Sequence, residues 1–204
     1  MINFDKKIIL ASASPRRQEL IKLIFDSVEI LPAECDETLP EGIGAREAVE
    51  YLSKIKNEAS RELTEKVNLV ISADTVVSVD DEILGKPVDK EDARRMISLL
   101  SGKVHQVYTG VTLSLNGEMR TFSEKTDVEF FPLTKNEIEE YISSSEPYDK
   151  AGAYGIQGKA GLLVKGINGD YYNVVGFPIA RLKRELEEFI GGENIGRKNK
   201  RSIC

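Results

Sequence analysis

Residues 68–79, Asn-Leu-Val-Ile-Ser-Ala-Asp-Thr-Val-Val-Ser-Val, restrict the fold more than any other stretch. Their centre, residues 71–77, is rich in β-branched side chains and too apolar for a strand wetted on one face, so it belongs in the middle of a sheet. Asp74 sits inside that run. A carboxylate there is costly, and it survives by ion pairing, by accepting amide hydrogen bonds from a neighbouring loop, or by binding a metal. That cost makes Asp74 the strongest single functional candidate in the chain.

A second stretch, Ile8-Ile9-Leu10-Ala11-Ser12-Ala13-Ser14-Pro15-Arg16-Arg17, reads as strand, tight turn and helix start. Ser14 can cap the helix through its hydroxyl, and Pro15 suits the first helical position, where an N–H would have no intrahelical partner. Arginine in a first helical turn opposes the dipole slightly. Two guanidinium forks beside two hydroxyls and free amides therefore read as a place for phosphate, with two solvated arginines as the plainer alternative.

The 204 residues suit one domain or two small lobes, and 41% apolar with 30% charged residues is an ordinary globular composition. No run approaches the ~18 apolar residues of a membrane span and no signal-peptide pattern opens the chain, so no membrane partner and a cytoplasmic location are expected. Cys35 and Cys204 have no metal-type spacing, and free thiols agree with a reducing compartment. A net charge of −6 argues against a nucleic-acid surface, which needs a basic excess. The expected partner is small, with its positive contacts concentrated locally.

Along the rest of the chain, residues 29–31 suggest a short strand, and residues 32–42 a loop with four carboxylates in the eight residues 34–41. Those carboxylates are solvated, or one or two of them face a divalent cation. Residues 45–63 have a helical pattern with Ala48, Leu52, Ile55 and Ala59 on one stripe. Lys54 and Lys56 lie along this helix. Lys86, between Gly85 and Pro87, stands on backbone with little freedom, so its ammonium can be aimed. Asp89 caps a helix to residue 100, with Ala93, Met96, Ile97 and Leu100 on one face. Two long strands flank Asn116-Gly117, a strong hairpin signal, and Thr134 with Glu137 has capping-box form. His105, the only histidine, reads as structural, since no nucleophile-elbow motif accompanies it.

Residues 152–161 hold four glycines but match neither the P-loop nor the dinucleotide fingerprint. They form a tight corner or a close backbone approach, and Gln157 offers both donor and acceptor to a base edge. Residues 162–167, the Asn168-Gly169 turn and residues 171–175 read as a second hairpin, and Pro178 opens a helix to about residue 190. Residues 191–204 read as a basic flexible tail, after a single domain over residues 1–190.

In order, Leu10-Ala11-Ser12-x-Ser14-Pro15-Arg16-Arg17, Asp36-Glu37, Lys54-x-Lys56, Ser72-Ala73-Asp74-Thr75-Val76-Val77, Gly85-Lys86-Pro87, Thr109-Gly110-Val111 and Asp149-Lys150-Ala151-Gly152-Ala153-Tyr154-Gly155-Ile156-Gln157-Gly158 resemble the Maf family. These are nucleoside triphosphate pyrophosphatases, related in fold to inosine triphosphate pyrophosphatases. The resemblance spans about residues 7–190. It implies an α/β fold, an elongated mixed sheet with flanking helices and two lobes around a nucleotide cleft. The Gly-Ala-Tyr-Gly-Ile-Gln-Gly segment is similar to the branch acting on dTTP and UTP. By that similarity Asp74 is the proton acceptor, and Arg16, Thr75 and Gln157 match positions tied to substrate choice. Ser12, Arg17, Glu37, Lys56 and Lys86 match the remaining polar residues of the cleft. Ala13, Cys35 and the basic tail depart from the family pattern.

These readings converge on one expected chemistry. Asp74, Lys56, Lys86 and Glu37 act on the triphosphate, Ser12, Arg16, Arg17, Thr75 and Gln157 hold the nucleotide, and Mg²⁺ or Mn²⁺ binds near Asp74 and Glu37. The partner is a nucleoside triphosphate, with housecleaning of modified pyrimidine nucleotides as a compatible role. The assembly expected is a homodimer. Two alternatives stay open: a pyrophosphatase for another nucleotide such as 7-methyl-GTP, and a nucleotide-binding regulator of septum formation.

Overall fold

The structure, a computed structural model, describes residues 2 and 4–201, with side chains as far as residue 191. The chain runs β1 (Ile8–Ala11), α1 (Pro15–Ile21), β2 (Glu29–Ile30), α2 (Ala45–Glu62), β3 (Leu69–Val79), β4 (Glu82–Leu84), α3 (Lys90–Leu100), β5 (Val104–Leu115), β6 (Glu118–Phe130), α4 (Lys135–Ile142), β7 (Val164–Asn168), α5 (Tyr171–Val175) and α6 (Ile179–Arg201), with short 3₁₀ turns between α4 and β7. Seven strands make one mixed sheet in the order β2-β1-β3-β5-β6-β7, and β4 pairs with β3 off that path. β1 pairs in parallel with β2 and β3, while β3, β5, β6 and β7 pair antiparallel. The 68–79 run thus lies inside the sheet, as its composition predicts.

Alternation along β3 sorts its side chains onto two faces. Leu69, Ile71 and Ala73 join one apolar cluster with α1, the turn after it and α6, through Ile21, Phe25, Leu182 and Leu186. Further along the same face, Val77 and Val79 join a second cluster with α3 and α4, through Met96, Ile97, Leu100 and Ile142. Thr75 separates the two, so the lobes meet where β3 turns polar. On the other face, Val70, Ser72 and Asp74 look toward α2. A Cβ on Gly110, the residue opposite Asp74 on β5, would collide with the backbone of α2 at Val49. Glycine there lets the helix lie directly on the sheet.

Four local expectations change. Ser14 makes no side-chain cap on α1; instead the Ser12 hydroxyl accepts from the Ser14 N–H at 3.2 Å. The buried stripe of α2 is Ala48, Val49, Leu52, Ser53, Asn57 and Ser60, not the stripe through Ile55 and Ala59, because the sheet beneath offers polar partners. Residues 171–175 are helix α5 rather than a return strand. The Asp170 carboxylate accepts from the Tyr172 N–H and Gly176 ends the turn with φ 106°, a cap at each end that outweighs the β-propensity of Tyr-Tyr-Asn-Val-Val. Finally, α6 continues to Arg201, past Gly191 where the tail was expected. Residues 202–204, with Cys204, and the basic side chains after residue 191 lie outside the described residues.

Candidate active site

Asp74 is positioned by β3 and Lys56 by α2, and the two meet because Gly110 admits the helix. The Lys56 ammonium donates to Asp74 Oδ1 at 2.5 Å and lies 2.9 Å from Glu37 Oε2. Lys56 and Asp74 are largely buried, their side chains 19% and 13% exposed, whereas Glu37 is 55% exposed. Burial disfavours the ammonium, but the Asp74 charge and hydrogen bond, reinforced by Glu37, prevail and raise the lysine pKa above its ordinary value. Lys56 is therefore a cation throughout the physiological range. Glu37 comes from the acidic loop, which Ser60 ties to α2 by donating to Leu31 O at 2.9 Å.

On the other side of β3, Arg17 is internal. Its Nε donates to Gly176 O at 2.8 Å, Nη1 to Ala73 O at 2.7 Å and more weakly to Ser12 Oγ at 3.5 Å, and Nη2 to Thr75 Oγ1 at 3.0 Å. Burial lowers its pKa, and the nearby Asp74 opposes that shift. A guanidinium so engaged fixes β3, α1 and the α5–α6 corner to one another. Thr75 shares a 2.9 Å hydrogen bond with Thr109, whose hydroxyl donates to Asn173 O at 3.2 Å. Asn173 is buried, donating through Nδ2 to Val107 O and Thr126 Oγ1 at 3.0 and 2.9 Å.

Of the expected site residues, then, Asp74, Lys56 and Glu37 form one ion-paired group, and Ser12, Arg17 and Thr75 form a second across the strand. Arg16 lies 3.6 Å from the Asp149 carboxylate. Lys86 is exposed, and its neighbour Gly85 accepts from the Gly152 N–H at 2.9 Å, joining its loop to the glycine-rich segment. Gln157 is exposed within that segment. Cys35, a free thiol, lies close enough to feel this group: burial and then the Glu37 charge raise its pKa. Sequence reading missed Asn173 and Thr109 as supports. The only signals were an Asn within an apolar pentad and a Thr in a quoted motif. His105 is structural, buried with Nε2 2.7 Å from the Tyr154 hydroxyl, and burial pushes its pKa down to about 4.

Among the described residues, no group of three His, Cys, Asp or Glu is arranged to hold a metal alone. Asp74 and Glu37 nevertheless converge on a single cationic point, the Lys56 Nζ. Mg²⁺ commonly takes one or two protein carboxylates and completes its shell with water and substrate phosphate oxygens. Asp74 and Glu37 supply two carboxylates of that kind, with the Lys56 ammonium lying between them.

Residues 7–189 match the model of a family described as Maf-like protein. A dTTP/UTP pyrophosphatase of Bacillus cytotoxicus is 49% identical over 187 residues, covering 92% of this chain and 97% of that one. A dTTP/UTP pyrophosphatase of Bacillus cereus is 48% identical over 184 residues, covering 90% and 96%. Among solved structures, the Staphylococcus aureus Ham1 protein superposes with a TM-score of 0.53 at 17% identity, covering 92% of this chain and all of that one. A HAM1 protein from Coxiella burnetii gives 0.52 at 14% identity, covering 90% and 99%. At such identities these two likenesses speak to the fold alone.

Proposed function

The chain belongs to the Maf family, and from that premise we propose that it is a nucleoside triphosphate pyrophosphatase hydrolysing dTTP and UTP to the monophosphate and pyrophosphate. The observation that carries this reading is the Lys56 ammonium held between the carboxylates of Asp74 and Glu37. A binder of a polyanion gains nothing from an aspartate at that point, whereas a hydrolase needs a base beside its cations. The names of the Bacillus relatives supply the substrate pair.

Water attacks the α-phosphorus, the bond to the bridging oxygen breaks, and pyrophosphate leaves. Asp74 accepts the water's proton at Oδ2, since Oδ1 is engaged by Lys56. Lys56, with Lys86, meets the triphosphate charge. Glu37, beside Asp74, would hold Mg²⁺ or Mn²⁺, which when bound would supply positive charge against the phosphate oxygens. Arg17 and Ser12 serve the substrate indirectly by holding Thr75 and the backbone of β3. Gln157 presents donor and acceptor to the O4 and N3–H edge that thymine and uracil share and cytosine reverses, and a site built on such bonds rejects mismatched partners strongly. We place the protein in the cytoplasm; no helix among the described residues is long and apolar enough to cross a membrane.

The test is pyrophosphate release from dTTP, UTP, CTP, 7-methyl-GTP and ITP with Mg²⁺ or Mn²⁺. The account expects dTTP and UTP to lead. Release led by 7-methyl-GTP or ITP overturns the substrate, and nucleotide binding without release from any member overturns the reaction in favour of a regulator.

A further inference from the structure

We propose that Glu146 and Lys150 are positioning residues that fix the turn carrying Gln157 and link it through Asp149 to Arg16, and so govern nucleotide selection. The inference rests on the pyrimidine reading of the site given above. Its basis is an internal latch within residues 146–162. Glu146 Oε2 accepts from the Lys159 N–H at 2.8 Å, and Oε1 from the Ala160 N–H at 3.2 Å. The same Oε1 lies 3.3 Å from the Tyr141 hydroxyl of α4. One carboxylate thus caps the 3₁₀ turn Lys159–Leu162 from thirteen residues upstream and ties it to α4.

Lys150 closes the other side. Its ammonium donates to Glu146 O at 2.7 Å and to Asp149 Oδ1 at 2.5 Å. The Asp149 carboxylate in turn faces Arg16 at 3.6 Å. The lysine stem runs beneath Gly155, where a Cβ would lie 2.6 Å from Lys150 Cδ, and a Cβ on Gly158 would collide with the Glu146 carboxylate. Gln157 stands between those two glycines. The N–H groups of Gly158 and Gly161 donate to Gly155 O and Gly158 O, so the loop's amides are engaged in shaping the loop. The glycines here serve close packing on Glu146 and Lys150. The path Gln157, Glu146, Lys150, Asp149, Arg16 joins two residues tied to substrate choice through charged groups engaged with one another and with the loop backbone.

The test compares wild type with Glu146→Gln, which keeps the shape and removes the charge, and with Gly158→Ala, which displaces the carboxylate sterically. Loss of a charge-assisted pair of hydrogen bonds is expected to raise KM for dTTP and UTP about tenfold, with kcat within about threefold, and to narrow discrimination against CTP by a similar factor. Amide hydrogen exchange at Lys159 and Ala160 is expected to speed up in both variants. Wild-type KM and discrimination in Glu146→Gln overturn the proposal, as does an equal fall in kcat for every nucleotide with KM unchanged. The wild-type panel separates this from the substrate reading. If wild type leads on another nucleotide, that reading fails and the latch is judged by KM for the nucleotide that leads. If wild type turns over none, the judgement passes to calorimetric Kd, with the same tenfold weakening expected.

Discussion

The two faces of β3 are covered by helices in contrasting ways. Toward α1 and α6 it presents Leu69, Ile71 and Ala73, which meet Ile21, Phe25, Leu182 and Leu186 in a wholly apolar cluster. Toward α2 it presents Val70, Ser72 and Asp74, and the contact is a seam of hydrogen bonds. Ser72 Oγ donates to Ser53 O at 2.6 Å, Asn57 Nδ2 to Val70 O and Thr112 O at 3.1 and 3.0 Å, and Ser53 and Thr112 share a bond of 2.9 Å. Apolar burial is non-directional, so a helix can slide slightly on an oily face at little cost. Hydrogen bonds weaken steeply with misalignment and fix the register. The helix that must deliver Lys56 to Asp74 is the one held by the seam. The arrangement carries a cost: Asn57 Oδ1 is buried with no partner among the described residues, a penalty of about 1–3 kcal/mol.

The comparison can be broken by substitutions on either face. The largest stability effect is expected on the oily side, where Leu182 is fully buried. Leu182→Ala should cost about 2–5 kcal/mol by urea denaturation, with kcat unchanged while the chain is folded. A tenfold fall in kcat would erase the distinction between the faces. Acid comes next. His105 has a pKa near 4 when folded against an ordinary 6.5. Between those values the unfolded chain binds a proton that the folded chain refuses, so stability falls as pH drops through that window, by about 3 kcal/mol in total. Urea midpoints at pH 7 and pH 4.5 check this. An Asn57→Ala background should leave the loss intact, because His105 packs on Phe130 and Tyr154, away from the seam.

Asn57→Ala itself is expected to cost about 2 kcal/mol. Unlike Leu182→Ala it should also lower kcat about tenfold, by loosening the approach of Lys56. Smallest is Ser60→Ala, which frees the acidic loop from α2. It should cost about 1 kcal/mol and lower turnover less than Asn57→Ala does. An unchanged kcat in Asn57→Ala would reduce the seam to a packing feature.

Much of this was legible in the chain. The composition of residues 68–79 placed β3 inside the sheet and marked Asp74 by its cost. The spacing of Ala93, Met96, Ile97 and Leu100 gave the buried face of α3, and Asn116-Gly117 and the Thr134–Glu137 capping box fell where expected. The seam was not legible, because periodicity equates burial with apolarity and Ser53, Asn57 and Ser60 look like surface residues until their partners are known. Helix α5 was hidden for a related reason. Asn168-Gly169 signals a hairpin, and only the Asp170 cap and the buried hydrogen bonds of Asn173 select a helix after it. The internal role of Arg17 depends on acceptors 56 to 159 residues away in sequence, which no local pattern contains.

The most direct test of the account is turnover by Asp74→Asn, measured as pyrophosphate release from dTTP alongside the thermal midpoint. Asparagine keeps the shape and can still accept from Lys56, but it cannot take a proton from water. A loss of about 10³-fold in kcat with the fold intact is the predicted result. Turnover within a factor of ten of wild type would contradict it and remove Asp74 from the chemistry.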